Sequence, residues 1–457
     1  MTRSGILGEG KKYITKHVIS GGGGFAMSLI NTYSPNSGVA LSVADNWLTI
    51  RDPVTPANNY DGSLYNGLGS FNKLTFIRAS IATDTNALGN IVSYAANQPR
   101  FGYSPYGNRL LLEGAATNLC LQSGAIANAA WSNTGVATTG AQGTAPDVTN
   151  ALALVTASAG AGYHYTAQNI TGGLAATVYS GSVFLKAGTQ RYINFGEAGD
   201  AVWHTAVLDT LTGTITSTAN CTASVISTHQ NGIFRVGFVF TRTNAGTMSL
   251  YFGPDTSSAS ISGPNYTAAG TESCYAWGGQ LEQSPFATSY IPTTTAAVAR
   301  AAEVCTLPNT AFNLTQAIGS LYAKASFDRG SATLPSSRGI LSVGNGTTAE
   351  FSSLYNLSGN VGGTVTSAST AQASLNSAFA SSHGSTFKTA MAYAANDAAL
   401  SVNSAAPVTG TPAALPTTTK LILGNTSDAG TGLFGGILEA AFLGVRITNA
   451  QLQKITT

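Results

Sequence analysis

Residues 110–122 read LLLEGAATNLCLQ, and residues 278–293 read GGQLEQSPFATSYIPT. Between these two stretches the chain is a series of short runs in which apolar and polar residues alternate, separated by glycine, asparagine and serine clusters. Alternation with a period of two is typical of half-buried β-strands, and such clusters are typical of turns. We therefore predict that the two stretches open and close one β-domain and lie close together in space.

The composition predicts a folded chain with few charges on its surface. Of its 457 residues, 43% are hydrophobic and 9% are charged, and the formal net charge is +2. Ordinary soluble domains carry about 25% charged residues, so Ser, Thr, Asn and Gly must form most of this surface. Disorder requires low hydrophobicity together with high net charge, which this chain does not have. The near-neutral charge predicts no nucleic-acid partner and no anionic-membrane partner.

The N-terminal residues contain basic side chains but no continuous apolar core, so they lack the pattern of a signal peptide. No run reaches the roughly 18 apolar residues expected of a membrane helix, and we predict no membrane insertion. A surface of extracellular type without an export signal fits a protein made in the host cytoplasm and released by lysis. Virion components belong to this class.

The pattern predicts an all-β fold in four parts. Residues 1–45, with a glycine run at 21–24, form an N-terminal attachment arm or a floppy terminus. Residues 46–109 form a β-rich connector, and residues 110–305 form a first β-sandwich of jelly-roll type. Residues 306–457 form a C-terminal β-sandwich, which repeats the same pattern.

Three local patterns are sharper than the rest. In IFRVGFVFTR (233–242) the aromatic residues recur with period two, which predicts a strand with one buried face. The string MAYAANDAALSVNSAAP (391–407) predicts a hairpin with its tip near residues 395–397. At the C-terminus, Thr448 is placed to cap a short helix over 449–454.

Several runs occur in one order that resembles a block common in bacteriophage tail-fibre and head-spike-fibre proteins. They are LTFIRAS (74–80), QPRFGYSP (98–105), LLLEGAATNLCLQS (110–123), Trp131 and the 278–293 stretch. The resemblance covers residues 74–305. It implies a virion location and a homotrimer, and it favours attachment of the arm to other virion proteins.

The C-terminal region looks like the concanavalin-like or laminin-G-like sandwich often joined to such fibres. The resemblance rests on AMAYAANDAALSVN (390–403) and GGILEAAFLGVRITNAQLQKIT (435–456). Within the 110–123 run the chain departs from the fibre pattern. Gly114, Ala115 and Ala116 stand where that pattern has an acidic or alanine residue followed by arginine, so whatever a charged side chain does at that position in the family is absent here.

The sequence gives only weak support for catalytic residues. A glycan depolymerase needs two carboxylates about 5–10 Å apart, and the nearest sequence candidates are Glu197 with Asp200 and Glu272 with Glu282. Turn aspartates that bond their own backbone are the commoner explanation of such neighbours. The histidines show no metal-ligand spacing, and no nucleophile elbow or phosphate loop occurs. We predict that the chain is not an enzyme and that it has no cofactor or metal.

The four cysteines are too widely spaced for a zinc site or a redox motif. They are Cys120, Cys221, Cys274 and Cys305. We expect buried thiols, and a disulfide between some pair stays open as an alternative.

Aromatic side chains are the remaining candidates for binding. We predict that Trp203, Trp277 and Tyr163 stack on host-surface glycan if they are exposed, although Trp and Tyr more often lie in β cores. The leading hypothesis is a phage fibre or spike subunit that attaches to host glycan. The alternatives are a capsid or baseplate decoration protein and, ranked last, a polysaccharide depolymerase.

Overall fold

The computed structural model describes residues 75–457, except 87, 105–106, 310–317, 328–337, 358–359, 381–385, 429–431 and 434. The predicted arm (1–45) and the first part of the predicted connector (46–74) lie outside the described residues. Strands are the dominant secondary structure and helix makes up only 3%, so the predicted all-β class is confirmed. None of its helices is long and apolar enough to cross a membrane.

The described chain opens with short strands that join different sheets. They are β1 (Thr75–Ile77), β2 (Ala82–Thr85), β3 (Ile91–Tyr94), β4 (Arg100–Ser104), β5 (Gly107–Leu112) and β6 (Ala116–Asn118). β2 and β3 pair only with each other. The predicted connector is therefore β-rich where it is described.

The first β-sandwich follows. Its strands and the small sheet beside them are β7 (Ser132–Thr134), β8 (Val136–Thr139), β9 (Ala153–Ala157), β10 (Gly160–Tyr163), β11 (Tyr165–Gly173), β12 (Val178–Ala187), β13 (Tyr192–Glu197), β14 (His204–Asp209), β15 (Thr214–Ala219), β16 (Thr222–His229), β17 (Ile233–Thr241), β18 (Gly246–Asp255), β19 (Asn265–Ala268) and β20 (Ser273–Glu282).

Two six-stranded antiparallel sheets make up this sandwich. Sheet I has the order β15-β14-β13-β18-β11-β7, and sheet II has the order β16-β17-β12-β20-β9-β8. Their inner faces share one core, to which β17 contributes Val236, Phe238 and Phe240. The period-two prediction for residues 233–242 is confirmed, because an apolar face of this spacing buries itself against the facing sheet.

The second β-sandwich has two seven-stranded sheets around a separate core. Sheet III has the order β1-β22-β31-β24-β25-β26-β27, and sheet IV has the order β30-β29-β28-β23-β32-β5-β4. The remaining elements are β21 (Val298–Arg300), β22 (Val304–Pro308), β23 (Gly319–Ser326), β24 (Arg338–Gly344), β25 (Phe351–Leu357), β26 (Asn360–Ser367), β27 (Thr370–Ala380), β28 (Thr386–Ala394), β29 (Asp397–Val402), β30 (Val408–Gly410), β31 (Lys420–Leu423), β32 (Gly435–Leu443) and α1 (Asn449–Ile455).

The two local predictions for the C-terminal region are confirmed. β28 and β29 form a hairpin that turns at residues 395–396, with Asn396 in the left-handed region at a φ of 58°. Asparagine tolerates this conformation better than most residues. Thr448 caps α1 through a capping box with Gln451, which satisfies helix N–H groups that would otherwise lack partners.

The opening stretch does not begin the first sandwich as predicted. β5 pairs with β32, so that Leu110 lies opposite Ile437 and Leu112 opposite Gly435. Leu110 and Leu112 lie in the second core. The first sandwich is therefore inserted between β6 and β21, within the chain that forms the second. Alternation identifies a strand but not its partner, which is why the sequence does not reveal the insertion.

The predicted closeness of residues 110–122 and 278–293 is confirmed. The side-chain N–H of Asn118 donates to the carbonyls of Gly279 at 3.2 Å and Ile291 at 2.8 Å. The Leu119 N–H donates to the Leu281 carbonyl at 2.8 Å. The two stretches therefore meet where the chain leaves and re-enters the second sandwich.

Candidate functional site

Four aromatic side chains gather at the outer face of sheet I, and we call Tyr163, Tyr165, Trp203 and Tyr251 the aromatic patch. Tyr163 and Trp203 are stacked, with ring centroids 5.1 Å apart and an angle of 15° between the planes. Tyr165 and Tyr251 meet Trp203 edge-on, at 5.9 Å and 5.0 Å. Two of the three predicted stacking residues are thus brought together.

Strand alternation places the patch on the outside of the sandwich. Leu250 and Phe252 point into the first core, so Tyr251 between them points outward. Tyr251 is nevertheless buried, and its hydroxyl lies within hydrogen-bond distance of Asn194 Oδ1 at 2.9 Å and of Thr205 Oγ1 at 2.6 Å. Burial raises the pKa of Tyr251 well above its ordinary value. This ring forms the fixed base of the patch.

The upper part of the patch is half open. Tyr163, Tyr165 and Trp203 are each half-buried. Gly263 lies against Trp203 with a φ of +79°, and a Cβ at this position would lie 2.5 Å from the indole ring. Only glycine adopts this conformation without strain and leaves that space to the ring. The loop before β19 therefore holds Trp203 in place.

The third predicted stacking residue lies elsewhere. Trp277 is only 1% exposed, and its ring packs against Phe184 at 5.1 Å and Tyr290 at 4.7 Å. The exposure on which the prediction for Trp277 depended is therefore not present, and this ring presents no open face to a glycan. Its strand is central in sheet II, and Phe184 and Tyr290 pack against its ring, so the side chain serves packing.

The predicted pair Glu197 and Asp200 lies beneath the loop that carries Trp203. Glu197 accepts from Arg242 at 3.0 Å and from the Gly199 N–H at 2.7 Å. Asp200 accepts from the N–H groups of Thr243 at 2.6 Å, Asn244 at 3.0 Å and Ala201 at 2.8 Å. Both carboxylates are fully buried. They join the 198–203 loop to the turn between β17 and β18.

The two carboxylates have opposite pKa shifts. Burial raises the pKa of Glu197 although Arg242 and backbone N–H groups oppose the shift. Burial also disfavours ionised Asp200, but the N–H groups of Thr243 and Ala201 together with His204 outweigh it and lower the pKa of Asp200 far below its usual range. Asp200 therefore stays charged and holds the loop.

His204 lies between this buried pair and solvent. Its Nδ1 is 2.8 Å from the Asn220 carbonyl, and its Nε2 is 3.1 Å from Asp200. An open cleft of about 690 Å³ lies beside the imidazole, lined partly by Val178, Val202 and Pro285. His204 lines the cleft and contacts Asp200, so its ring lies between that carboxylate and the cleft.

The other predicted carboxylate pair is also engaged in local hydrogen bonds. Glu282 accepts from the Thr288 N–H at 2.8 Å and the Thr288 hydroxyl at 2.6 Å, and burial raises the pKa of Glu282. Glu272 accepts from the N–H groups of Ala269 at 2.9 Å and Gly270 at 3.0 Å, which lower the pKa of Glu272. These contacts fix the backbone at 269–270 and at 288.

A second cluster, which the sequence analysis missed, lies where the sandwiches meet. We call Arg78, Arg100, Glu113, Arg300 and Glu303 the charged junction. Arg100 donates to both oxygens of Glu303, at 2.8 Å and 2.6 Å, and lies 2.9 Å from Glu113. Arg78 lies 2.7 Å from Glu303, and Arg300 lies 3.3 Å from Glu113. All five side chains are buried.

The charged junction also reaches the closing stretch. Ser289 donates its N–H to Glu113 at 2.9 Å and its hydroxyl to the same carboxylate at 2.5 Å. Arg78, Arg100, Glu113 and Ser289 all belong to the runs that carry the fibre resemblance. A sequence signal was present, because Arg78 and Glu113 directly follow apolar residues of strand-like runs. Such a residue must be paired when buried.

The potential metal ligands and the cysteines are the remaining reactive side chains. Within the residues that the structure covers, no cluster of His, Cys, Asp and Glu could hold a metal ion. The four cysteines are free thiols. Burial raises the pKa of Cys221 and of Cys305 to about 12. Cys221 is only half-buried, whereas the other three are buried as expected.

No family model and no curated protein matches the chain. Among solved structures, it is similar to the CBM40 of a Ruminococcus gnavus IT-sialidase bound to α2,3-sialyllactose. The identity is 20% and the TM-score 0.26, over 31% of this chain and 83% of that chain. The same module bound to α2,6-sialyllactose gives 19% identity and a TM-score of 0.25. Likenesses this low carry no argument about what this chain binds.

The chain is also similar to sialidase from Trypanosoma rangeli, with 8% identity and a TM-score of 0.26 over 71% of this chain and 62% of that chain. The same sialidase in complex with sialic acid gives 8% identity and a TM-score of 0.26. These findings correct the prediction that the chain is not an enzyme, because sialidases stand among the structures that it resembles. The likeness is too low to assign a reaction to this chain.

Proposed function

We propose that this chain is a bacteriophage fibre or spike subunit and that its first sandwich attaches to host-surface glycan through the aromatic patch. The observation that carries the glycan part is the half-exposed stacked pair of Tyr163 and Trp203. The virion part rests on the resemblance of residues 74–305 to fibre proteins. Under this proposal, the N-terminal arm attaches to other virion proteins and three copies of the chain assemble.

The chemistry of the patch suits a sugar ring. Sugars present apolar C–H faces and polar edges, and Tyr and Trp present an apolar ring with one polar group. Within the described residues, no hydrogen bond engages the hydroxyl of Tyr163 or Tyr165, so both remain available to a ligand. Asn265, which lies opposite Tyr163 in the β10–β19 pair, is exposed and supplies an amide beside the rings.

The fixed position of Tyr251 supports a role of the patch in ligand binding. Tyr251 is buried and bonded, and the Asp200 contacts hold the loop before Trp203. A site whose rings are already positioned loses less conformational entropy when it binds. The patch is therefore rigid below and open above, as a binding platform requires.

A glycan array tests the proposal. The purified chain is applied to an array of bacterial surface glycans, beside the variants Trp203→Ala and Tyr163→Ala. Tyr192→Ala is the matched control, because Tyr192 is also half-buried on sheet I but lies against Arg191 instead of the patch. We expect signal for the wild type and the control, and loss for both patch variants. Equal signal from all four proteins would contradict the proposal, as would no signal from any.

A further inference from the structure

We infer that the aromatic patch takes an uncharged glycan and discriminates against acidic ones. This inference rests on the proposed function and adds the class of ligand. The relevant observation is where the basic side chains of the first sandwich are. Recognition of a carboxylate or phosphate commonly uses a Lys or Arg, whose guanidinium or ammonium group forms the strongest hydrogen bonds to such anions.

Between residues 119 and 299 the sequence contains few basic side chains, namely Lys186, Arg191, Arg235 and Arg242. Arg242 is buried and lies 3.0 Å from Glu197. Arg235 is buried at the far side of sheet II, where it donates to Ser182 at 2.9 Å and to the Thr288 carbonyl at 2.8 Å. Neither guanidinium reaches the surface.

The two remaining cations are engaged away from the patch. Arg191 donates to both oxygens of Asp209, at 2.7 Å and 2.6 Å, so its charge is neutralised at the far end of β13 and β14. Lys186 lies over the ring of Tyr275 at 5.7 Å, on sheet II. The basic side chains of the first sandwich therefore leave the patch without a partner for an anion.

Carboxylates outnumber these cations in the same segment. They are Asp147, Glu197, Asp200, Asp209, Asp255, Glu272 and Glu282. Asp255 lies close beneath the patch, since Asn194 donates to Asp255 at 3.0 Å and accepts from Tyr251 at 2.9 Å. Two of the others are paired with cations, Glu197 with Arg242 and Asp209 with Arg191. Burial raises the pKa of Asp255, so the main feature that disfavours an acidic sugar is the lack of a cation at the patch among the basic side chains of the first sandwich.

The exposed groups beside the rings have neutral hydrogen-bonding chemistry. Asn265 and Thr267 on β19 are exposed, as is Ser262 in the preceding loop. Amide and hydroxyl groups pair with sugar hydroxyls without requiring a charge. Ring stacking and neutral hydrogen bonds together define a platform for a neutral oligosaccharide.

Calorimetric titration of the full chain tests the inference. The neutral probes are maltohexaose, cellohexaose and chitohexaose, and the acidic probes are 3′-sialyllactose and tetragalacturonate. Each is titrated at low and at high salt, because ion pairs weaken with ionic strength whereas stacking does not. Trp203→Ala and Tyr163→Ala are compared with Tyr192→Ala, and thermal unfolding confirms that each variant is folded.

We expect at least one neutral probe to bind with an affinity that salt changes by less than about twofold. Trp203→Ala should weaken this binding by about tenfold or more, which corresponds to losing one well-packed ring contact. Tighter, salt-sensitive binding of an acidic probe that also depends on Trp203 would overturn the inference and leave the proposed function standing. Failure of every probe to bind would overturn both.

Discussion

The charged junction lies where the two sandwiches meet and the aromatic patch lies on the inserted sandwich; the junction is sealed, whereas the patch is half open. At the junction, Arg100 and Glu303 are fully buried and each polar group meets an opposite charge. At the patch, Tyr163 and Trp203 meet each other and leave part of their surface to solvent. The difference separates residues that hold the sandwiches together from residues able to meet a ligand.

The junction and the patch also differ in how clearly the sequence marks them. The runs quoted for the fibre resemblance supply Arg78, Arg100 and Glu113 of the junction, where buried ions require complementary partners. Trp203 and Tyr163 lie outside those runs and follow no motif. The recognisable part of this sequence therefore encodes how an inserted sandwich is anchored, and the candidate site lies on the part that carries no motif.

The largest effect is expected at the junction. Glu303→Gln removes the carboxylate that pairs with Arg78 and one of the two that pair with Arg100, and breaking one member of such a buried pair costs about 3–5 kcal/mol. Urea unfolding measures the free energy of unfolding. The control is Asp397→Asn, whose partner is Arg446 and whose side chain is 56% exposed. Loss of an exposed pair of this kind should cost less than about 1 kcal/mol. Equal costs for the two variants would contradict a sealed junction.

Substitution of Trp277 should mainly reduce stability, whereas substitution of Trp203 should mainly reduce glycan binding. Trp277→Ala removes a buried ring from the packing with Phe184 and Tyr290 and should cost about 3–5 kcal/mol of unfolding free energy. Trp203→Ala removes a half-buried ring and should cost roughly 1–2 kcal/mol. Thermal and urea unfolding measure both, and glycan binding is measured on the folded fraction. A larger stability loss for Trp203→Ala would assign that ring to the core.

Much of the fold could be predicted from local patterns. The strand at 233–242, the hairpin at 391–407 and the cap at Thr448 follow from spacing and turn chemistry, which act within a few residues. The pairing of β5 with β32 could not be predicted in this way, because it joins residues 110–112 to residues 435–437. Strand alternation contains no information about so distant a partner.

Only part of the candidate site could be predicted, because its remaining features depend on contacts between distant parts of the chain. Amphipathic aromatic side chains were identified by type, but burial decides their use. Trp203 precedes a strand and lies on an outer face, whereas Trp277 lies within a central strand and is buried. Only tertiary structure distinguishes these two positions. The convergence of Arg78, Arg100 and Glu303 likewise depends on three distant parts of the chain.

The smallest effect concerns the support beneath the patch. The pKa of Asp200 is lowered in the folded chain, so its contribution to stability is present above the unfolded value of about 3.9 and is lost as pH falls toward the folded value. Asp200→Asn should lower stability most at neutral pH, and the difference from wild type should shrink below about pH 4. Unfolding measured across pH tests this. A difference that does not change with pH would show that the charge of Asp200 does not hold the loop.

The most direct test of the central claim is a crystal structure of the chain with a bound neutral hexasaccharide. The account predicts that one sugar ring lies against Tyr163 or Trp203, with hydroxyls near Asn265, while the charged junction stays closed. Clear density for the sugar at another surface, with the aromatic patch empty, would contradict it.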